Sequence, residues 1–230
     1  MVAVENYGNQ MNILLDHSND SFTSQSKYLV SCSPTYVTVD DINNDNELDI
    51  IVANQARNNI SVLLGYGNGS FATQVTYATQ GMPISITVAD LNNDRQLDLL
   101  VTQQFDSNVM LFFGDYNRAF KYQMTLHTDE RSLSQSMATA DLNNDTHPDI
   151  VVIYSKTNNL GIFLRHGNSS FFPRIIYTTV SSRCLMALVD INDDAYLDII
   201  VVNCNGSTIY TLFGDGNGTF RNRITYLTNV

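Results

Sequence analysis

Short apolar stretches alternate with turn-forming residues along the whole chain. Residues 84–128 show the pattern most clearly, because ISITVAD, LDLLVTQ, NVMLFFG and FKYQMTLHT are rich in Val, Ile, Phe, Tyr and Thr and are separated by polar turns. None of these stretches has a helical period over a useful length. Their composition is typical of short β-strands joined by turns. The pattern therefore predicts four strands per segment.

This four-strand segment is repeated. The acidic stretch DINNDNELDIIV begins at Asp41, and close variants begin at Asp90, Asp141 and Asp190, which are 49, 51 and 49 residues apart. Four short strands repeated at this period are the signature of β-propeller blades. A β-helix or a β-sandwich made of the same strands would have shorter repeats or would lack the period.

An aromatic marker follows the same period. A turn ends in Phe in every repeat, and a Tyr stands six residues further on, except after Phe120, where Leu126 takes its place; the markers are Phe22, Phe71, Phe120, Phe171, Phe220, Tyr28, Tyr77, Tyr177 and Tyr226. We expect these side chains to form the core between sheets. The Gly/Asn-rich turns before the Phe are predicted to be hairpin turns rather than phosphate-binding loops, since no helix follows them.

The repeats predict one all-β domain over residues 1–230, a β-propeller with four complete four-stranded blades (35–79, 84–128, 135–179 and 183–228). A partial repeat (1–29) precedes them. Residues 1–15 align without a gap onto residues 50–64, so this partial blade has three strands and lacks the innermost one. The array is either a five-sheet ring or part of a larger propeller.

Composition narrows the classes of partner. The net charge is −11 with only 12 Lys and Arg residues, so nucleic acid and anionic membranes are not expected as partners. No apolar run is long enough to cross a bilayer, and the first residues lack the pattern of a signal peptide. The repeated acidic stretches hold 12 of the 23 acidic residues. Much of the acidity is therefore explained if these stretches bind cations.

Each acidic stretch has the oxygen ligands of a hard cation. We number the positions of loop 1 (41–49), loop 2 (90–98), loop 3 (141–149) and loop 4 (190–198) from 1 to 9. Side chains at positions 1, 3, 5 and 9 and the backbone carbonyl at position 7 are the predicted ligands: Asp41, Asn43, Asp45, Glu47, Asp49; Asp90, Asn92, Asp94, Gln96, Asp98; Asp141, Asn143, Asp145, His147, Asp149; Asp190, Asn192, Asp194, Tyr196, Asp198. Oxygen ligands suit Ca²⁺ or Mg²⁺ rather than zinc, and the flexible, carbonyl-containing shell favours up to four Ca²⁺ ions.

Two other interpretations of the loops were weighed. An EF-hand would need Glu at position 12, where all four copies have Val. Asp and Asn also form turns without any metal. All four copies keep Asp-x-Asn-x-Asp-x-x-x-Asp although position 6 changes from Asn46 to Arg95, Thr146 and Ala195. This selective retention favours cation binding.

The combination of Asp-x-Asn-x-Asp, Leu-Asp-Ile-Ile-Val and Gly-x-Gly-Asn-Gly-x-Phe resembles the FG-GAP/VCBS repeats of integrin-α-type β-propellers. The resemblance implies that the loops bind calcium on one face of the propeller and that the opposite face binds proteins or sugars. Members of this family usually have Gly at position 6, and none of the four loops does. A left-handed backbone costs a non-Gly residue about 1 kcal/mol or more.

The loops on the opposite face differ between copies, which makes them candidates for partner binding. Strand order places the loops between second and third strands, and those between blades, on that face. Arg57, Phe105 and Arg131 lie in these loops, and arginine and aromatic residues are favoured at interfaces. We expect them to contact a protein or glycan partner. The alternative is that the loops diverge because nothing constrains them.

Cysteines and glycosylation sequons suggest an oxidising compartment. Cys184 and Cys204 flank loop 4 symmetrically and are expected to form a disulfide across neighbouring strands, although free buried thiols are the alternative; Cys32 is left over. Asn59 and Asn205 are candidate glycan sites. The chain is predicted to be extracellular, either secreted or part of an ectodomain.

Three functions are compatible with the sequence. The first is a calcium-binding extracellular module for protein binding and adhesion, and the second is a lectin on the same scaffold. The third is catalysis, either by this chain or by a larger enzyme of which it is a non-catalytic domain. The four His residues form no triad or zinc cluster, and no nucleophile, base or cofactor motif is present. The sequence therefore predicts that the chain is not an enzyme.

Overall fold

The computed structural model describes residues 2–5, 9–17, 21–104, 108–115, 119–128, 134–167, 170–178, 184–203 and 207–227. The strands are β1 Val2–Glu5, β2 Gln10–His17, β3 Ser21–Leu29, β4 Pro34–Asp40, β5 Asp49–Asn54, β6 Asn59–Leu63, β7 Val75–Ala78, β8 Pro83–Ala89, β9 Asp98–Gln103, β10 Asn108–Asp115, β11 Ala119–His127, β12 Ser134–Ala140, β13 Asp149–Tyr154, β14 Asn159–Phe163, β15 Arg165–His166, β16 Ser170–Phe171, β17 Ile175–Thr178, β18 Cys184–Val189, β19 Asp198–Asn203, β20 Thr208–Gly214 and β21 Phe220–Leu227. A short 3₁₀ turn spans Gln55–Arg57.

The strands form the repeated sheets that the sequence predicts. Four sheets have four strands each (β4–β7, β8–β11, β12-β13-β14-β17 and β18–β21), the first sheet has three (β1–β3), and β15 and β16 form a separate two-stranded hairpin. The strand pairs described are antiparallel, with the second strand of each blade in the interior of its sheet. The predicted all-β architecture of four-stranded blades is confirmed.

The second strand of each blade lies at the centre of the core. Every residue of β5, β9 and β13 is buried, because each strand has hydrogen-bonded neighbours on both edges and packed side chains on both faces. These strands read as nearly continuous apolar runs in the sequence, as expected for strands buried on both faces. Each of them begins at position 9 of an acidic loop. The loops are therefore attached to the most deeply buried elements of the chain.

The chain groups into two compact units. The first contains Met1–Val88 and Gln96–Leu126, and the second contains Ala89–Arg95 and His127–Val230. In the first unit, Ile60 and Val62 of β6 pack in one cluster with Met110 and Phe112 of β10. In the second unit, a cluster of the same kind joins the β12-β13-β14-β17 sheet to the β18–β21 sheet. The organisation as one domain stays a prediction.

Six of the nine aromatic markers pair between sheets, as predicted (Tyr28–Phe71, Tyr77–Phe120 and Tyr177–Phe220), whereas Tyr226 is 52% exposed and Phe171 contacts Phe163 of its own blade. Tyr28 meets Phe71 edge-on, with ring centroids 5.6 Å apart, and Tyr77 meets Phe120 in the same way at 5.6 Å. Edge-to-face packing at this distance is favourable because the positive ring edge faces the negative ring face. No helix in the described residues is long and apolar enough to cross a membrane.

Candidate metal centres in the acidic loops

The aspartate at position 1 organises each loop through the backbone. In loop 1, Asp41 Oδ1 accepts a hydrogen bond from the Asp45 amide at 3.0 Å, and Asp41 Oδ2 accepts one from the Asn46 amide at 2.8 Å. The same two bonds occur at 2.8–3.2 Å in loops 2, 3 and 4. The first carboxylate therefore turns the loop back on itself in all four copies.

Positions 3 and 5 lie beside each other within this turn. In loop 2, Asn92 Oδ1 accepts a hydrogen bond from the Asp94 amide at 3.0 Å, and Asn92 Nδ2 donates one to Asp94 Oδ2 at 2.9 Å. Loops 3 and 4 repeat both bonds. Positions 3 and 5 are therefore neighbours in these three loops, and the predicted convergence of the oxygens of positions 1, 3 and 5 on one cation stays a prediction.

The backbone of each loop is left-handed at two positions. Position 6 has a positive φ in every copy, from 66° to 70°, as the family's usual Gly implies (Asn46, Arg95, Thr146, Ala195). Position 4 also has a positive φ, from 57° to 60° (Asn44, Asn93, Asn144, Asp193). The left-handed backbone at position 4 was not predicted from the sequence, although Asn and Asp are the non-Gly residues that best tolerate this conformation.

The aspartate at position 9 has a separate structural role. Asp49 is fully buried; its Oδ2 accepts a hydrogen bond from the Ile42 amide at 3.1 Å, and its Oδ1 accepts one from the Gly65 amide at 2.7 Å. The bond to the residue 16 positions later recurs at Asp98, Asp149 and Asp198. This carboxylate therefore ties its loop to a residue at the end of the third strand of its own blade or just after it.

Burial also changes the acidity of this group. The pKa of Asp149 is raised to about 6, chiefly by desolvation; the hydrogen bonds from the Arg165 and Leu142 amides lower it, and the charges of Asp145 and Asp141 contribute to the rise. Desolvation raises the pKa of Asp49 as well. A buried carboxylate with a raised pKa is one that a nearby cation would stabilise in its charged form.

The structure fits a hard cation in part. No group of three or more His, Cys, Asp or Glu in the described ranges is gathered as a ready metal cluster, since each position 9 carboxylate is turned to backbone amides. In loop 1, however, Asn43 Oδ1 and Nδ2 are buried and have no hydrogen-bond partner among the described residues. A buried amide oxygen without a donor is costly unless a ligand satisfies it. Beside Asp41 and Asp45, its chemistry fits Ca²⁺.

Side chains at position 7 lie against the Gly/Asn turn of the same blade. A Cβ atom added to Gly67 would overlap the Glu47 carboxylate, and one added to Gly216 would overlap the Tyr196 ring. Both glycines have a positive φ of 71°. Glycine is therefore needed in these turns for space and for conformation, and the position 7 side chains are directed away from positions 1, 3 and 5.

In the second unit, loops of successive repeats are in contact. Asn93 Nδ2 donates a hydrogen bond to the Thr146 carbonyl at 3.1 Å and lies 2.9 Å from His147 Nδ1. Asn144 Nδ2 donates to the Gly216 carbonyl at 3.0 Å. The left-handed residue at position 4 thus links its loop to the next repeat in both cases.

The other predicted site residues are only partly described. Arg57 is exposed, and a hydrogen bond with the Cys32 side chain raises the pKa of its guanidinium group. The neighbouring Asn58 carbonyl accepts a hydrogen bond from the Thr79 amide at 2.8 Å. The loop between β5 and β6 therefore lies beside the connection from β7 to β8. Phe105 and Arg131 lie outside the described residues.

The predicted disulfide also stays a prediction. The Cys184 backbone pairs with Asn203, and Cys204 lies outside the described residues. Cys32 is not in a disulfide.

Similar solved structures are β-propellers of low sequence identity. BBS1N in complex with ARL6DN is 14% identical, with a TM-score of 0.59, and the match covers 86% of this chain and 55% of BBS1N. An Agrocybe aegerita lectin that recognises non-reducing terminal N-acetylglucosamine is 15% identical, with a TM-score of 0.62, covering 97% of this chain and 62% of the lectin. The chain thus spans little more than half the length of these proteins. No curated protein matches the sequence.

One similar structure corrects the prediction that the chain is not an enzyme. The periplasmic gluconolactonase PpgL of Pseudomonas aeruginosa is 14% identical, with a TM-score of 0.63, covering 94% of this chain and 64% of PpgL. The prediction was wrong because it rested on the lack of a contiguous catalytic motif. Propellers assemble their functional residues from separate loops, and one fold carries many functions.

The repeats themselves identify the family. The family described as FG-GAP-like repeat matches residues 41–101 and 141–201, more than half of the chain. Each match begins at position 1 of an acidic loop and ends in the second strand of the next blade. All four acidic loops fall within these ranges. The chain belongs to the FG-GAP-like repeat family.

Proposed function

We propose that the chain is a calcium-binding β-propeller module that contacts an extracellular protein or glycan partner. The observation that carries the calcium part is the fourfold repetition of one loop geometry. Position 1 accepts the same two amide hydrogen bonds in every loop, and positions 4 and 6 are left-handed in every loop although their residues differ. A strained backbone persists only where the surroundings hold it, and such strain is concentrated at functional sites.

The ligands proposed for each loop are the oxygens at positions 1, 3 and 5 and the backbone carbonyl at position 7. In loop 1 these are Asp41, Asn43, Asp45 and Glu47. At position 9, both carboxylate oxygens of Asp49 accept hydrogen bonds from backbone amides. Because each carboxylate oxygen can accept more than one bond, lone pairs remain available for a cation. A bound Ca²⁺ would supply positive charge that offsets the repulsion among three closely spaced carboxylates.

Isothermal titration calorimetry with CaCl₂ tests this proposal. We expect up to four sites with dissociation constants of roughly 10⁻⁴ to 10⁻³ M, the range of extracellular modules. Asp45→Ala should remove one site. Asp115→Ala is the matched control, because Asp115 is an aspartate outside the loops that pairs with the exposed Lys121 at 3.4 Å. No heat of calcium binding, or equal loss in both variants, would contradict the proposal.

The partner surface is proposed on the face that carries Arg57, Phe105 and Arg131. Two features support it. The loops there differ between repeats, whereas the acidic loops and Gly/Asn turns barely change, and Arg57 is exposed on a short 3₁₀ turn that the Asn58–Thr79 hydrogen bond holds in place. Binding residues are often carried on loops held by a rigid scaffold.

A lectin is the second candidate, supported by the N-acetylglucosamine-binding propeller among the similar structures. An array that carries both glycans and extracellular proteins separates the two candidates. Arg57→Ala should weaken retention of whichever partner is found without changing the melting temperature, and Lys121→Ala, which removes an exposed cation elsewhere, should have no effect. Unchanged binding in Arg57→Ala would place the partner on another surface.

The extracellular location is part of the same proposal. It is supported by the chemistry of Cys184 and Cys204 around loop 4 and by the sequons at Asn59 and Asn205. Non-reducing peptide mapping of protein from its native source should show the Cys184–Cys204 crosslink. Three free thiols in that experiment would contradict the disulfide and weaken the location.

A further inference from the structure

Two Gly/Asn turns carry an exposed asparagine within an Asn-Gly-Ser or Asn-Gly-Thr sequence. The first is Asn68-Gly69-Ser70, which follows β6, and the second is Asn217-Gly218-Thr219, between β20 and β21. Both asparagines are exposed. Asn-x-Ser/Thr is the acceptor sequence of N-linked glycosylation. Turns rich in Gly and Asn produce this sequence by composition alone, so the folded geometry has to decide which asparagines can carry a sugar.

The two turns have the same side-chain hydrogen bonds. The Ser70 hydroxyl donates to Asn68 Oδ1 at 2.6 Å, and the Ser70 amide donates to the same oxygen at 3.0 Å. Thr219 donates the same two bonds to Asn217 Oδ1, at 2.6 Å and 3.0 Å. Each asparagine therefore directs its oxygen into the turn. Neither Nδ2, the atom that would carry a sugar, has a hydrogen-bond partner in the part of the chain that the structure describes.

The backbone of each turn holds this arrangement in place. The Tyr66 amide donates a hydrogen bond to the Ser70 carbonyl at 3.0 Å, and the Asp215 amide donates one to the Thr219 carbonyl at 3.0 Å. Each asparagine is thus presented at the tip of a closed hairpin turn. A large group attached to Nδ2 at this tip extends into solvent and displaces no contact of the folded chain.

The acceptor sequence at Asn59 lies in a different environment. Asn59 begins β6, which has a neighbouring strand on each side, and it is half-buried. Its Oδ1 accepts a hydrogen bond from Nδ2 of the fully buried Asn54 at 2.9 Å. The hydroxyl of Ser61 belongs to the same network, since this residue is fully buried and donates to Gln74 Oε1 at 2.6 Å. This Asn and Ser pair is therefore used inside the blade, and the site is less suited to a glycan than the sequence implied.

The acceptor sequence at Asn144 is used in a contact between repeats. Asn144 is exposed, but its Nδ2 donates a hydrogen bond to the Gly216 carbonyl at 3.0 Å. The nitrogen that would carry a sugar therefore points at the next repeat, and a glycan there would separate the two segments. Among the described residues, two acceptor sequences are thus open to solvent and two are used by the fold.

We propose that Asn68 and Asn217 are acceptor sites for N-linked glycans, in preference to Asn59 and Asn144. The proposal rests on the extracellular location proposed above. In the secretory pathway, Nδ2 forms a bond to the anomeric carbon of an oligosaccharide carried on a lipid diphosphate; the nitrogen loses a proton and the lipid diphosphate leaves. The open turns accommodate the attached sugar, which is bulky and polar and belongs on the surface.

The two glycans would stand beside acidic loops. Gly67 of the first turn lies against the Glu47 carboxylate of loop 1, and Gly216 of the second turn lies against the Tyr196 ring of loop 4. Strand order puts the exposed Arg57 at the opposite end of its blade from the Asn68 turn. A sugar on Asn68 therefore leaves the proposed partner loop at Arg57 uncovered.

Directed secretion tests the acceptor sites separately from the natural location of the protein. The full chain is sent through the secretory pathway of a eukaryotic cell by an added signal sequence. Glycans are released with peptide N-glycosidase in heavy-oxygen water, which converts each occupied asparagine to labelled aspartate, and the peptides are analysed by mass spectrometry. We expect label at Asn68 and Asn217 and none at Asn59 and Asn144.

Variants show which asparagine carries each glycan. Asn68→Gln and Asn217→Gln should each remove one glycan, seen as one step of increased mobility on a gel. Ser70→Ala should remove the same glycan as Asn68→Gln, and Ser70→Thr should retain it, because only the acceptor hydroxyl changes. Asn144→Gln is the matched control: it replaces another exposed asparagine of an acceptor sequence, and mobility should not change.

Three results decide the proposal. Label at Asn59 or Asn144 with Asn68 and Asn217 unlabelled would overturn it. Equal label without the enzyme would also overturn it, because an Asn-Gly bond can hydrolyse its side chain spontaneously. Protein from its native source is then analysed in the same way. Sites that are occupied after directed secretion but bare in the native protein would uphold the two acceptors and contradict the extracellular location.

Discussion

Two sets of aspartates in the same loops are held in different ways. The anchor aspartates at position 9 (Asp49, Asp98, Asp149, Asp198) are fully buried and accept hydrogen bonds from backbone amides. The rim aspartates at positions 1 and 5 (Asp41, Asp45, Asp90, Asp94, Asp141, Asp145, Asp190, Asp194) are partly or fully exposed, and Asp41 and Asp45 accept hydrogen bonds from amides of their own loop. One residue type therefore has a structural role and a proposed cation-binding role within nine positions.

This difference makes the proposed calcium dependence compatible with a single loop conformation. The anchors give each loop two fixed attachment points on its blade, whether or not calcium is present. The rim carboxylates lie close together in sequence, and in loop 1 they accept hydrogen bonds from backbone amides that partly offset their repulsion. Loss of an anchor should therefore destabilise the protein under all conditions, whereas loss of a rim aspartate should matter mainly in calcium.

The largest expected effect comes from removing an anchor. Asp49→Ala leaves the buried amides of Ile42 and Gly65 without acceptors, and should lower the free energy of unfolding by about 3–5 kcal/mol. Urea denaturation should show this loss in EDTA, and the loss in calcium should be larger by the contribution of one calcium site, since Asp49 also retains lone pairs for the cation. Asp45→Ala is the rim control, and it should differ from wild type only in calcium. An Asp49→Ala loss that disappears in EDTA would mean that the anchor acts through the cation.

A smaller effect is expected from the pH dependence of Asp149. Its pKa is about 6 in the folded chain and 3.8 ordinarily, so folding favours the protonated form. Protonation of Asp149 stabilises the folded chain by about 2–3 kcal/mol. This stabilisation is fully present below about pH 4 and is lost as the pH rises through 6. The measurement is the stability difference between wild type and Asp149→Asn in EDTA from pH 4 to 7. A difference that does not change with pH would contradict the assigned shift, and calcium should reduce the change because it favours the carboxylate.

The smallest expected effect concerns strain at position 6. Thr146 is β-branched and has a φ of 70°, so Thr146→Gly should increase stability by about 1 kcal/mol and strengthen calcium binding at loop 3. Asn46→Gly should change little, because Asn tolerates the left-handed conformation. Calorimetry of both variants measures the effect. Equal gains in stability in the two variants would show that relief of backbone strain does not explain the family's Gly at position 6.

Local patterns in the sequence were sufficient for much of this structure. Alternating and apolar runs predict the strands, the spacing of positions 1, 3 and 5 predicts their convergence, and the missing family Gly predicts the left-handed position 6. The sequence predicted position 9 only as a metal ligand. Its hydrogen bonds to the fold were not predicted, because one amide partner lies 16 residues away and no local pattern contains both residues. The Tyr–Phe contact was predicted only as core, since its partner lies 43 residues later on the next blade.

The central claim is that calcium stabilises the folded chain through its acidic loops. The direct measurement is the free energy of unfolding of the wild-type protein in calcium and in EDTA, with Asp94→Ala measured beside it. At a calcium concentration ten times the dissociation constant, each occupied loop adds about 1.4 kcal/mol. In EDTA, the free energy of unfolding of wild type should fall by this amount for every calcium-binding loop that calorimetry counts. The fall for Asp94→Ala should be smaller by the contribution of one loop. Unfolding curves that are identical in calcium and EDTA would contradict the claim.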